Sequence, residues 1–221
     1  VTELTWTIDP ATGNLVVEGL TLEEASALAG DLLSRARELN CARPLDWTSP
    51  AVADAAGPTV RIARVYHASV VDGPGRRSVV QFQGCPIRCT GCALTETHSL
   101  TGGMSVPIRS VIHELLSATG EPRDGITVTG GEPFAQAGAL LEVLTAMKDQ
   151  HVHTTVYTGY TLEALAARSR PNIDAALELI DLLIDGPYVQ ALAKGAGEWR
   201  GSRNQRLIEH PAQSLAARKA A

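Results

Sequence analysis

From Thr59 onward the sequence predicts an α/β domain, on three observations. Short β-branched runs at Val60–Tyr66, Ser78–Phe82, Ile126–Thr129, His153–Tyr157 and Leu182–Ile184 read as strands. Between them, Pro107–Ser117, Phe134–Asp149, Leu162–Ser169 and Asn172–Leu179 read as helices. In the second helix Ala137, Leu140, Leu141, Leu144 and Met147 fall on one apolar stripe. Such alternation implies a parallel sheet with right-handed crossovers, either open or curled into a partial barrel. Finally, two glycine-bearing turns follow strands, after Phe82 and after Thr129. That is the carboxyl rim, where sheets of this class carry their chemistry.

Residues 1–58 read as a separate small module. LTWTID and NLVVEGL are alternating runs joined by Pro10-Ala11-Thr12-Gly13, a hairpin signal. A helix follows from Thr21, with Thr21 and Glu24 as a capping box and Leu22, Ala25, Leu28, Leu32, Leu33 and Ala36 at helical spacing. Ala51 to Pro58 is the linker. The main domain then spans 59–213, and Ser214 to Ala221 reads as a frayed tail.

A chain of 221 residues is long enough for one substantial domain without disulfide or metal staples. Its net charge of −5 argues against a broad nucleic-acid footprint. No apolar run approaches the ~20 residues of a membrane helix, and the first residues, VTELTWTIDP, show no export signal. Neither nucleic acid nor a membrane is an expected partner. The cysteines, three together and Cys41 apart, do not form a secreted disulfide framework. A reducing cytoplasm is the expected setting.

Cys85, Cys89 and Cys92 crowd into GCPIRCTGC, on the loop after the second strand. Three thiolates are one too few for an iron–sulfur cluster closed by four cysteines. An open coordination position separates a reactive metal site from a structural one. Gly84 and Gly91 are read as making room for backbone beside the bound group, and Arg88 as offsetting its charge. A zinc knuckle with His98 as fourth ligand is the alternative. The remaining histidines, His67, His113, His151, His153 and His210, lack ligand spacing. Cys41 reads as a small apolar filler. After Ile126–Thr129, Gly130-Gly131-Glu132-Pro133 offers close backbone approach and a carboxylate for a cationic amine.

The cysteine spacing after a strand, followed by a strand ending in GGEP, resembles the radical S-adenosylmethionine (SAM) superfamily. Asp72-Gly73-Pro74-Gly75 before RRSVVQFQGCPIRC narrows the resemblance to glycyl-radical activating enzymes. YTGYT at 157–161, LIDGPY at 183–188 and WRGSRNQR at 199–206 make it similar to the anaerobic ribonucleoside-triphosphate reductase activating proteins, over Val65 to Leu207.

The resemblance implies an incomplete βα barrel with a hairpin–helix appendage. It implies one 4Fe–4S cluster on Cys85, Cys89 and Cys92, and SAM held by Gly130, Gly131 and Glu132. Adenine would meet backbone around Gly91, Cys92 and Ala93; Ala93 stands where relatives often carry an aromatic or Asn. It also implies a glycyl-radical protein as partner, such as anaerobic ribonucleotide reductase, and flavodoxin or ferredoxin as electron donor. Arg200 and Arg203 are read as closing the SAM pocket or meeting the partner. With Cys41 the only spare thiol, a second cluster is excluded. Two alternatives stay open: a radical SAM enzyme modifying a peptide or protein, and a non-enzymatic zinc or electron-transfer module.

Overall fold

A computed structural model describes residues 5–8, 15–18, 57–117 and 123–219. The chain divides into two compact units, Val1–Arg43 and Pro44–Ala221. In the first, β1 (Thr5–Ile8) and β2 (Leu15–Glu18) pair antiparallel with Ile8 opposite Leu15, giving the expected hairpin. The helix expected from Thr21, the residue Cys41 and most of the linker lie outside the described residues.

The second unit is built on one sheet of seven strands among the described residues. These are β3 (Thr59–Ser69), β4 (Arg77–Phe82), β5 (Met104–Pro107), β6 (Gly125–Gly130), β7 (Thr154–Tyr157), β8 (Leu182–Asp185) and β9 (Arg206–Glu209). Their order is β5-β3-β4-β6-β7-β8-β9. Helices α1 (Ile108–Ser117), α2 (Ala137–Asp149), α3 (Leu162–Ala166), α4 (Pro171–Leu179) and α5 (Pro211–Lys219) accompany it. None of the described helices is long and apolar enough to cross a membrane.

The sheet is mixed rather than wholly parallel. Strands β4, β6, β7 and β8 run parallel, whereas β3 is antiparallel to β4 and β5, and β9 is antiparallel to β8. The reason is connection length: a parallel return needs about a dozen residues or more, and only 70–76 separate β3 from β4. Between β8 and β9 there is a single 3₁₀ turn, Gln190–Leu192, and no crossover helix. Strands β5 and β9 and helix α5 were not expected from the sequence. Ser214–Lys219, read as a tail, continues α5.

The four parallel strands step across the sheet in one direction, so right-handed crossovers set their helices on the same face. There Ile126, Val128, Val156 and Leu183 pack against Leu140, Val143, Leu144 and Met147 of α2 and Ile173, Ala176 and Leu177 of α4. The expected α2 stripe is this contact, with Ala137 and Leu141 at its partly buried margin. Strand side chains alternate between faces, and the other face carries Gln81, Thr127, Thr129 and Thr155, all buried. The segment between β3 and β4 lies against it, where Thr127 Oγ1 donates to Asp72 O (2.7 Å). On the helix side His67 joins Ser78 (2.9 Å) to Glu114 of α1 (2.9 Å), a structural bridge.

Candidate active site

Parallel pairing of β4 with β6 ends at Phe82 opposite Gly130, so the cysteine loop and the GGEP turn leave the sheet side by side. Cys85, Cys89 and Cys92 are free thiols, each half-buried. The loop is fixed by its main chain, not by its sulfurs. Gly84 N donates to Thr97 O (2.8 Å), Cys85 N to His98 O (3.3 Å) and Cys92 N to Cys89 O (3.2 Å). Gln83 Nε2 adds bonds to Glu96 O (3.1 Å) and Ser99 O (2.8 Å). The thiols are left to line a cavity shared with His98, Thr129, Gly130, Gly131, Glu132, Tyr157 and Thr158.

The donor set fits an iron–sulfur cluster. Burial raises the Cys89 thiol above its usual value; Tyr188 main chain opposes this, and neighbouring Cys85 and Cys92 add to it. Like charges that close do not all ionise unless cations stand between them, which cluster irons provide. Among the described residues no three His, Cys, Asp or Glu side chains converge on a point where they would hold a single ion.

The two glycines of the GGEP turn have a reason the sequence did not reveal. A Cβ on Gly130, at φ +99°, would sit 2.6 Å from Phe82 O, and one on Gly131 would strike Gly84 O. Gly131 N donates to Phe82 O (2.7 Å) and Glu132 N to Gly84 O (2.9 Å). The close approach is thus between two turns of the same chain, and it sets the cysteine loop against the GGEP turn. Gly84 and Gly91, read as making room for a bound group, face protein as well: a Cβ there would meet Leu100 and Gln190, respectively.

Glu132 is fully buried and caps the 3₁₀ turn Pro133–Gln136. Its carboxylate accepts from Phe134 N (3.0 Å), Thr158 Oγ1 (2.9 and 3.0 Å to its two oxygens) and Gly159 N (2.9 Å). Three donors set against about four acceptor positions on a carboxylate leave one position for a ligand. Burial pushes the Glu132 carboxyl up to about 7, with the donors from Gly159, Phe134 and Thr158 pulling it down. Thr158 was missed because a lone Thr in YTGYT has no distinguishing pattern. Gln136 was missed likewise; it ties the turn to Arg61 O (2.8 Å) and Gln83 O (3.1 Å).

The WRGSRNQ segment is a brace. Gln205 Oε1 accepts from Gly201 N (2.8 Å) and Ser202 N (3.1 Å), while its Nε2 donates to Gly186 O (3.0 Å). Asn204 Nδ2 donates to Pro187 O (2.7 Å), and Ser202 Oγ accepts from Val189 N (3.1 Å). These bonds hold the turn after β8, which brings Gly186, Tyr188 and Gln205 to the cavity wall. Arg200 and Arg203 are not among the lining residues, and Arg203 is exposed. Gly91 and Ala93 are also exposed and outside the lining.

Beneath the Asp72–Gly75 turn lies the fully buried Arg77. It donates to Thr127 Oγ1 (2.6 Å), Pro74 O (2.9 Å), Ile126 O and His153 O (3.2 Å). The motif thus has a structural lock at the opposite end of β4 from the cysteines.

Comparison with known proteins agrees with this geometry. A family model described as a 4Fe-4S single cluster domain matches residues 71–208, more than half of the chain. An anaerobic ribonucleoside-triphosphate reductase-activating protein of Vibrio cholerae is 34% identical over 146 residues, 63% of this chain and 92% of that protein. The protein of the same description from Salmonella typhimurium is 32% identical over 158 residues, covering 68% and 99%. A pyruvate formate-lyase-activating enzyme of Clostridium pasteurianum is 36% identical over 104 residues, covering 45% and 44%. The chain belongs to the 4Fe–4S single-cluster domain family, among the radical SAM enzymes that activate glycyl-radical proteins.

Proposed function

We propose that this enzyme binds one 4Fe–4S cluster through Cys85, Cys89 and Cys92 and cleaves SAM reductively to install a glycyl radical on a partner protein. The observation that carries the reading is the shared cavity: three unpaired thiols on one side, the Gly130–Glu132 turn on the other. The chemistry supplied by the bound group is one-electron cleavage of SAM to methionine and a 5′-deoxyadenosyl radical, which takes a hydrogen atom from a glycine Cα. The chain's own residues do the positioning. Glu132 offers its remaining acceptor position to the SAM ammonium beside the backbone of Gly130 and Gly131. Backbone at Gly91 and Ala93, on the exposed edge of the cysteine loop, is the candidate contact for adenine.

By the relatives' names, the partner is an anaerobic ribonucleoside-triphosphate reductase. The electron donor is a low-potential carrier such as flavodoxin or ferredoxin, because cluster potentials extend down to roughly −700 mV. Three free thiols suit a reducing cytoplasm. The main domain, 59–213, is read as an incomplete βα barrel: its parallel strands step in one direction under helices on one face. Residues 1–58 would be an appendage. The family match begins at residue 71, which favours a second reading in which the appendage recruits another peptide or protein for modification.

Anaerobic reconstitution with iron and sulfide, followed by assay of 5′-deoxyadenosine and of a glycyl-radical EPR signal, tests both. The activase reading expects SAM cleavage with the reduced cluster and a radical on the reductase. A reduced cluster that leaves SAM intact would refute it. A radical formed on a different protein, with the reductase untouched, would favour the second reading.

A pH dependence follows from Glu132. Its carboxyl titrates at about 7 in the unliganded protein, and only the ionised form attracts an ammonium. Binding below that value must therefore expel a proton, so affinity falls as pH drops, by roughly tenfold per unit well below 7. Titration calorimetry in buffers of different ionisation enthalpy should record proton release on SAM binding at pH 6, shrinking as the pH is raised to 7.5 and Glu132 ionises.

A further inference from the structure

We propose that His98 donates a hydrogen bond from Nε2 to a sulfur of the cluster held by Cys85, Cys89 and Cys92, and so raises its reduction potential. The inference rests on the cluster reading above and adds a residue that neither the cysteine motif nor the GGEP turn contains. Three observations carry it. The imidazole lines the same cavity as the three thiols. Its Nε2 is buried without a hydrogen-bond partner among the described residues. A buried polar nitrogen is expected to be met by something, and here that something must occupy the cavity.

The third observation is how firmly the residue is built in. His98 O accepts from Cys85 N (3.3 Å), and His98 N donates to Thr95 O (3.1 Å). On the preceding residue, Thr97 O accepts from Gly84 N (2.8 Å), and Thr97 Oγ1 donates to Leu94 O (2.7 Å). The main chain carrying the imidazole is therefore tied to the first cluster cysteine.

The chemistry of the occupant decides the role of the nitrogen. Thiolates and sulfides are acceptors, so the partner they need is an N–H, and the Nε2 tautomer supplies one. Reduction adds negative charge to the sulfurs, so a donor stabilises the reduced form more than the oxidised one. Hydrogen bonds to the sulfurs are among the factors that set cluster potentials. His98 is thus a positioning and tuning residue.

The test is a potentiometric titration, followed by EPR, of anaerobically reconstituted wild type, His98→Phe and His98→Gln. The inference expects full iron content in all three, a midpoint displaced to more negative potential in His98→Phe, and a smaller displacement in His98→Gln, which keeps an N–H. An unchanged midpoint in His98→Phe overturns it, with or without weakened SAM binding. Equal displacement in both variants does the same. Iron lost from both variants would make His98 a ligand and also overturn it. Should the variants fail to fold, wild type labelled with nitrogen-15 histidine decides. A weak nitrogen coupling to the reduced cluster is expected, and a strong one or none refutes the bond. A wild type that takes up no iron would instead refute the cluster reading itself.

Discussion

Replacing Cys85, Cys89 or Cys92 by Ala is expected to abolish SAM cleavage while leaving the fold intact. The two halves of this expectation come from different parts of the loop. Its shape depends on main-chain bonds from Gly84, Cys85 and Cys92 and on the Gln83 side chain, none of which uses a cysteine sulfur as donor. Among the described residues the bonds made to thiols, Leu94 N to Cys92 Sγ at 3.4 Å and the Tyr188 main chain to Cys89, are weak because sulfur is a weak acceptor. Removing a half-buried thiol should therefore change stability by less than about 1 kcal/mol. Function is another matter, because two thiolates cannot replace three. Even residues that only orient metal ligands cost roughly 10–100-fold when lost, so losing a ligand should exceed about 100-fold. Iron per chain, the EPR of the reduced cluster and 5′-deoxyadenosine yield read the loss, and thermal melting reads the fold. Cys41→Ala serves as control and should retain its iron. A Cys89→Ala protein with wild-type iron and turnover would remove the basis of the proposed site.

Much of this candidate site is local in origin, which is why its parts are legible in the sequence. A strand, a glycine and three close cysteines are contiguous, as are a β-branched strand and the GGEP turn. Parallel pairing then brings the two together without further information. The features that are not legible in the sequence depend on partners distant along the chain. The glycines at 130 and 131 look like room for a ligand until Phe82 O and Gly84 O are seen against them. Glu132 looks like a free acceptor until Thr158 and Gly159, from the next strand end, are found on its oxygens. Strands β5 and β9 were invisible because, unlike the equally short β7 and β8, each has a single buried residue, and Met104 and Leu207 are exposed. The antiparallel return of β3 was legible in principle, since residues 70–76 are too few for a crossover.

The arginines show the same limit from the other side. Arg200 and Arg203 stand in the most distinctive string of the chain, yet the working side chains there are Ser202, Asn204 and Gln205, which brace the turn after β8. Arg206, next in line, joins Asp185 to Glu163 of α3, and Asp185 also accepts from Leu162 N (2.7 Å). A guanidinium that recognises a ligand and one that holds two strand ends look identical in one dimension. Only burial and partners distinguish them.

Arg77→Ala is expected to give the largest loss of stability, about 3–5 kcal/mol. The side chain is fully buried, and among the described residues no carboxylate is hydrogen-bonded to it. Burial brings its pKa down to about 10, with neighbouring acidic groups opposing, so it stays charged at neutral pH. Its charge is spread over the main-chain oxygens of Pro74, Ile126 and His153 and the hydroxyl of Thr127. Removing it opens a cavity the size of a long side chain and deprives Pro74 O and its neighbours of their donor. Each such loss costs about 1–3 kcal/mol, and cavity formation adds to it. Relief of the buried charge offsets part of the sum, which is why the total stays within the upper range of single substitutions. For a domain of this size that corresponds to a melting point lower by about 10 °C. Arg77→Lys should recover less than half, because one ammonium does not span acceptors contributed by the turn, β6 and the start of β7. Since Arg77 holds Pro74 and Thr127 holds Asp72, amide exchange at residues 70–76 should accelerate more than elsewhere. An Arg77→Ala protein that melts within a degree or two of wild type, with that turn still protected, would show that the turn is held by something other than this guanidinium.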